Sequence, residues 1–304
     1  MRLDQFLTYK ISRMTRSQGQ MIIRSGNLSI VPPRQPKPSL RVQPGDIIVI
    51  RQELEGDEPQ FDEVRCLFEN EAFFVFDKPA GMLVHPTASV FQNTLTAYSL
   101  EQLGKEVFVV HRLDRETSGL VAMAKSSAWS SELYRLFVSH DIRKEYVAVV
   151  YDPKEKYQIG DHFEFNTPLG FIGELLPKLT MGRGQLPALT SGYCLKRQSS
   201  LALLALCPHT GRQHQLRVHL ALAGTPILGD KLYFYGESFY KDYLDGLDVP
   251  DFYPSRHLLH ARRLIIPWQG ASVETETGIP ELFEMILSEG VSPSCFPTAY
   301  SRQF

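Results

Sequence analysis

The sequence predicts an α+β protein, with a small basic N-terminal unit ahead of a larger body in which β-rich runs alternate with a few isolated helices. Three observations support this. Short apolar runs such as Tyr146 to Val150 and Leu201 to Leu206 read as strands. Helical spacing appears in few places; Trp129, Leu133, Leu136 and Phe137 recur so as to make Ser127 to Ser139 an amphipathic helix. Charge is divided unevenly. Residues 1–54 hold nine Lys or Arg against three Asp or Glu, a balance of +6, so the remainder carries −8 within an overall net charge of −2. A basic element attached to a larger body is the pattern of a phosphate-contacting unit.

The elements follow in order. Thr15 is placed to cap a helix over Arg16 to Arg24, and Gly26 stands where that helix would stop. Strands Leu28 to Val31 and Ile47 to Ile50 come next, the second launched by the turn Pro44-Gly45-Asp46. An acidic, Pro- and Gly-containing stretch then has linker composition. The organisation is therefore a small module over residues 1–54, a linker over 55–69 and a large domain over 70–304. A strand from Ala72 to Phe76 opens the large domain. Arg212 to Ala223 reads as a helix ended by Gly224, with Leu216 and Leu220 one turn apart on its buried side. Tyr233 to Tyr253, rich in Tyr, Phe and Asp, reads as an inserted surface loop. Pro280 suits the first turn of a last helix, Glu281 to Ser288.

Composition narrows the function classes. At 304 residues, with 43% hydrophobic and 22% charged residues, the chain has material for a sizeable core. No stretch approaches the roughly 18 apolar residues of a membrane span, and the N-terminus lacks the apolar core of a secretory signal. Cys66, Cys194, Cys207 and Cys295 are far apart and form no CxxC pair, so free thiols in a reducing cytoplasm are expected. There is no Walker loop and no GxGxxG fingerprint. His209, His214 and His219 lie five apart, not at the i, i+4 spacing that puts two histidines on one helix face. Neither a cofactor nor a metal is expected.

One segment carries most of the chemistry, His111-Arg112-Leu113-Asp114-Arg115-Glu116-Thr117-Ser118-Gly119, followed by the apolar run Leu120 to Ala124. Asp114 stands between arginines, and opposite charge a few Å away keeps a carboxylate ionised. Such a group suits nucleophilic attack or charge stabilisation better than acid catalysis. The string resembles the HRLDxxTSG signature of the RluA-type RNA pseudouridine synthases, in which the Asp is catalytic. Further strings resemble that family in the same order. They are Asp77 to Pro86 (DKPAGMLVHP, with Asp for the usual Asn), Lys144-Glu145-Tyr146, Thr210 to Leu220 (TGRQHQLRVHL), Gly224 to Tyr233 (GTPILGDKLY) and Leu259-His260-Ala261. The likeness spans roughly residues 70 to 268. In the N-terminal unit, Arg-Leu-Asp-x-Phe-Leu, Ile-Arg-Ser-Gly-Asn-Leu and Pro-Gly-Asp resemble the RNA-binding module of the ribosomal-protein S-four type, although Pro32 to Pro38 departs from its usual turn.

The resemblance implies a large mixed, mostly antiparallel sheet and the conversion of uridine to pseudouridine in RNA, a reaction needing no cofactor. It implies that Asp114 acts on the ribose, either attacking the anomeric carbon or removing a proton beside it. Arg217 would keep Asp114 charged and oriented, with Arg212 as the alternative partner or a phosphate contact. Tyr146 would stack on the uracil, and its hydroxyl would help remove the proton from carbon five. Reaching a buried carboxylate requires the base to leave its stack. Arg112 is a candidate to fill the vacated space, and Leu216 to pack on the uracil, while His111 and Thr117 would brace the loop. The expected partner is RNA, ribosomal RNA of the large subunit ahead of transfer RNA, and the expected state is a cytoplasmic monomer. A catalytically inactive RNA-binding or ribosome-assembly factor is the competing reading; the joint presence of Asp114, Tyr146 and Arg217 speaks against it.

Overall fold

The computed structural model describes residues 1–10, 16–24, 26, 28–50, 58–87, 90–174, 176, 179–247, 249 and 253–290. They form two compact units, one from Met1–Phe61 and His85–Gly104, the other from Asp62–Val84 and from Lys105 onward.

In the first unit, helices α1 (Leu3–Lys10) and α2 (Arg16–Arg24) accompany a hairpin of β1 (Leu28–Val31) and β2 (Ile47–Ile50). The strands are antiparallel with Leu28 opposite Ile50. Alternation along β1 buries Leu28 and Ile30, which join Leu3, Leu7 and Ile23 in a small core. Thr15, expected to cap α2, lies outside the described residues. A later helix, α3 (Leu95–Leu103), starts where the Thr94 hydroxyl accepts the Ala97 N–H and ends at Gly104 with φ 62°.

The second unit is built on a ten-stranded sheet. Its strands are β3 (Arg65–Glu69), β4 (Phe73–Lys78), β5 (Phe108–Val109), β6 (Ser118–Ala124), β7 (Arg143–Tyr151) and β8 (His162–Phe165), then β11 (Thr190–Gln198), β12 (Leu201–Pro208), β13 (Leu259–Trp268) and β14 (Ala271–Glu276); β9 (Leu169–Phe171) and β10 (Met181–Arg183) make a separate hairpin. The main order is β3-β4-β6-β13-β7-β12-β11-β8, with β14 on β13 and β5 on β6. Among the described residues only β13 and β6 run parallel, so the sheet is mixed and mostly antiparallel as expected. Helix α4 (Ser127–Val138) packs Leu133 against Phe73, Leu120 and Ile266. Helices α5 (Gln215–Leu222) and α7 (Glu281–Glu289) pack Leu216, Leu220, Phe283 and Ile286 against β7 and β12. Pro280 stands at the N-cap of α7, where its missing N–H costs nothing.

Three local expectations change. Strand β3 occupies Arg65–Glu69, a stretch read as linker, because its burial is too shallow to leave an apolar alternation. Helix α5 begins at Gln215 instead of Arg212, since His214 is left-handed with φ 53° and the Gln215 side chain closes the turn by accepting from Arg212 N. The stretch from Tyr233 is not a surface loop. It contains α6 (Glu237–Leu244), and Tyr233, Tyr235 and Phe239 are buried. Aromatic packing accounts for the Tyr and Phe enrichment there. Among the described residues, no helix is long and apolar enough to cross a membrane.

Candidate active site

Asp114 lies on the loop between β5 and β6, and the loop is braced from every side. Leu113 is buried, and Thr117 N donates to the Asp114 carbonyl at 3.1 Å. Behind it, β6 runs so close to β13 that a side chain at Gly119 would collide with the Ala261 backbone; its φ of 107° also needs glycine. His111 accepts the Ala122 N–H at 2.9 Å and stacks on Phe137, and burial lowers its pKa to about 3. Thr117 and His257 share a 2.7 Å hydrogen bond. Both residues brace the loop in the way their sequence context suggested.

Two buried lysines hold the loop from below. The Lys78 ammonium donates to the carbonyls of Pro79 and Met82 at 2.8 Å and of Arg115 at 3.3 Å, and burial lowers its pKa to about 7. Lys231 pairs with Glu116 at 2.5 Å, and Glu116 also takes the backbone N–H of His257. Burial raises the Glu116 carboxyl, but His257 and Lys231 outweigh it and bring the pKa to about 2.

The front of the loop is different. Arg217, on α5, donates from Nη1 to Asp114 Oδ2 at 2.8 Å. Its Nε and Nη2 clasp both oxygens of Asp230 at 2.7 and 2.9 Å, a bidentate fork. Asp230 is wholly buried and also accepts the N–H groups of Leu232 and Tyr233, so its position is set by the turn after Gly229. Burial works against the Arg217 charge, but Asp230 and then Asp114 more than offset it and raise its pKa. Burial likewise raises the Asp114 carboxyl, but its neighbours His214, Arg217 and His257 outweigh it and hold it well below the usual carboxylate range. Asp114 is thus ionised at neutral pH, with Oδ2 held and Oδ1 free of hydrogen bonds among the described residues.

His214 Nε2 lies 3.8 Å from Oδ1, and its Nδ1 lies 2.8 Å from the Tyr233 hydroxyl. Burial lowers the His214 pKa to about 4, so the ring is neutral at pH 7. Asp114 opens into a cleft of about 580 Å³, lined also by Arg112, Tyr134, Lys144, Tyr146, Arg212 and Leu216. Burial, reinforced by the Asp114 charge, raises the Tyr146 pKa, so its hydroxyl stays protonated. Leu216 is buried at the cleft wall. Arg112 is exposed at its edge, and Arg212 is tied through Nε to the Pro187 carbonyl at 2.9 Å. The structure therefore places all six sequence-proposed residues around one cleft and gives Asp114 the Arg217 partner, not Arg212.

Sequence reasoning missed Asp230, His214 and the Lys231–Glu116 pair as parts of this arrangement. Asp230 stood inside a recognised string, but nothing in its spacing signals a fork to an arginine thirteen residues earlier. His209 and His219 have structural partners, Ser191 and Thr190 respectively. Among the described residues no group of three or more His, Cys, Asp or Glu could hold a metal ion. Asp114 is the only acidic group among the described residues lining the cleft, against four Lys or Arg. That suits a polyanion whatever the overall net charge.

Comparison with known proteins gives concordant results. The RNA pseudouridylate synthase family model matches residues 72–222. Ribosomal large subunit pseudouridine synthase D of Zymomonas mobilis is 30% identical over 308 residues, covering 94% of each chain. The tRNA pseudouridine synthase C of Vibrio cholerae is 29% identical, over 74% of this chain and 95% of that one. Among solved structures, human RNA Pseudouridylate Synthase Domain Containing 1 matches with a TM-score of 0.60 at 24% identity, over 81% of this chain and 93% of that one, a likeness of fold.

Proposed function

The chain belongs to the RluA-type family of RNA pseudouridine synthases, and on that premise we propose that it isomerises specific uridines of large-subunit ribosomal RNA. The observation that carries the chemistry is the Arg217 fork, which spans Asp230 and Asp114 and leaves Oδ1 open to the cleft. Isomerisation breaks the bond between the ribose and N1, turns the uracil and rejoins it through carbon five. In this reading Oδ1 of Asp114 acts on the ribose. Attack at the anomeric carbon and removal of a neighbouring proton both require the ionised carboxylate that Arg217 secures. Tyr146 stacks on the uracil and takes the carbon-five proton as its own hydroxyl proton passes to solvent, while the freed N1 takes up one proton from solvent, so the isomerisation balances. Leu216 packs on the base from the apolar side.

A uridine in a stack reaches this depth only by extrusion, at a cost of a few kcal/mol. Arg112, at the cleft edge, takes the vacated space or a flanking phosphate, and Arg212 meets phosphate across the opening. The N-terminal 54 residues serve as an RNA-binding module of the S-four type, joined to a catalytic domain whose sheet opens with β3 at Arg65. The full-length likeness to an enzyme named for the large ribosomal subunit, N-terminal unit included, favours ribosomal RNA over transfer RNA. Free Cys66, Cys194 and Cys207 fit a reducing cytoplasm. The protein is proposed to act as a monomer.

The test is carbodiimide-dependent reverse-transcription mapping of total RNA from cells with and without the gene. Loss of large-subunit sites on deletion supports the proposal. Loss confined to transfer RNA shifts the substrate, and no loss at all favours a binding factor.

A further inference from the structure

Beside Asp114 the cleft holds a donor that the interactions described so far leave unused. His214 has a side chain 92% buried, being 8% exposed, yet among the described residues its Nε2 makes no hydrogen bond. At 3.8 Å from Asp114 Oδ1 it is too far to bond the carboxylate and close enough to bond any oxygen that approaches it. The ring's protonation pattern follows from its neighbours. The Tyr233 hydroxyl accepts the Met181 N–H at 3.0 Å and faces His214 Nδ1 at 2.8 Å. A lone pair on Nε2 would point at a carboxylate; a proton there points a dipole at it. The charge therefore favours the form in which Tyr233 donates to Nδ1 and Nε2 carries the hydrogen. Burial keeps that ring uncharged.

Arg217 commits three of its five N–H groups to Asp230 and Asp114 Oδ2, which fixes its plane, whereas His214 Nε2 is the ring nitrogen that faces Oδ1. When the bond from ribose to N1 breaks, its electron pair stays on the uracil and spreads onto O2 and O4. Uracil has an approximate twofold axis through N3 and C6. Half a turn about it exchanges N1 with C5 and O2 with O4. A single donor beside the anomeric carbon therefore meets O2 before the turn and O4 after it.

Building on the pseudouridine synthase reading, we propose that His214 is a catalytic hydrogen-bond donor, whose neutral Nε2–H holds uracil O2 during cleavage and O4 during rejoining. No bond forms or breaks at His214, and its proton stays in place throughout. Tyr233 is the positioning residue that sets its tautomer.

The experiment uses full-length protein in excess over total RNA labelled with 5-tritiated uridine in cells lacking the gene, read as the single-turnover rate of tritium release and as RNA affinity. His214→Asn tolerates the left-handed backbone and keeps an amide at the Nδ1 position, but cannot reach the Nε2 position. His214→Gln places an amide N–H near Nε2. The asparagine variant should release tritium about 10²- to 10³-fold more slowly, the usual cost of losing one such donor, with RNA affinity within about twofold. The glutamine variant should recover at least tenfold of that loss. A wild-type rate for His214→Asn overturns the proposal, as does equal impairment of the two variants at equal melting temperature. Absence of release by the wild-type protein sinks the underlying reading instead, so the two failures are distinguishable.

Discussion

Asp4 in the N-terminal unit and Asp114 in the catalytic cleft are both aspartates among arginines, yet they are built for opposite purposes. Asp4 is wholly buried and saturated: Arg2 holds both oxygens, Arg16 and Gln20 share Oδ2, and the Gln5 N–H takes Oδ1. The Arg2 hydrogen bonds lead in holding its carboxyl far below the usual range. Asp114 is 26% exposed, with one oxygen tied to Arg217 and the other facing the cleft. Both are ionised by the same physics. A carboxylate with every lone pair spent fastens structure; one with an oxygen kept free, and its counter-charge anchored elsewhere, is ready to react. Asp230 supplies that anchor by taking the other side of the guanidinium.

The largest effect that would break this contrast is Arg217→Met. It leaves Asp230 as an uncompensated buried carboxylate, which costs about 3–5 kcal/mol, and leaves Asp114 unheld. Thermal melting should show the loss of stability, and product formation should disappear even in the folded fraction. A variant that melted normally and kept its rate would remove the fork from the account.

Tyr146→Phe sharpens the contrast by separating the ring from its hydroxyl. The ring still stacks, so RNA affinity and stability should hold. Tritium release from carbon five should slow by about 10²- to 10³-fold, the scale of a lost proton-transfer group. Asp230→Asn is milder. It preserves the shape but weakens a charge-assisted pair worth about 1.5–3 kcal/mol. Melting should fall accordingly, with a rate loss near tenfold as Arg217 wanders from Asp114.

These residues also show how far the sequence could be read. Asp114, Tyr146 and Arg217 could be singled out because each sits in a string that resembles the family's; the β-rich body followed from apolar runs, and its mixed sheet from that resemblance. Asp230 and His214 were not legible as a pair of supports. Their roles depend on how the turn after Gly229 returns to the start of α5, which is a tertiary juxtaposition without periodicity. The segment from Tyr233 misled for the opposite reason. Tyr, Phe and Asp in an irregular order suggest surface, but Tyr235 and Phe239 stack at 4.8 Å inside the unit.

A further prediction concerns pH. Burial lowers His111 to about 3 and both His214 and His260 to about 4. A histidine depressed in the folded state contributes its full stability above the unfolded value of about 6.5 and loses it as pH falls toward the folded value. Each should cost roughly 1–2 kcal/mol at pH 5, lowering the melting temperature by several degrees. Glu116 and Asp230, both near 2, withdraw their contributions only at lower pH, as the medium drops through their folded values. A melting series from pH 7 to pH 3 should therefore decline first through the histidine range. A flat profile down to pH 4 would show that these rings are protonated in the folded protein.

The central claim is that the free oxygen of Asp114, not the mere presence of an aspartate among arginines, makes this a pseudouridine synthase. Asp114→Asn and Asp4→Asn test it side by side in the tritium-release assay, with rates normalised to folded protein. Asp114→Asn should melt somewhat below the wild type, its charge-assisted bond to Arg217 weakened, and its folded fraction should release nothing above background. Asp4→Asn should melt at a lower temperature and turn over at the wild-type single-turnover rate when RNA is saturating. Tritium release by Asp114→Asn at the wild-type rate would contradict the account outright.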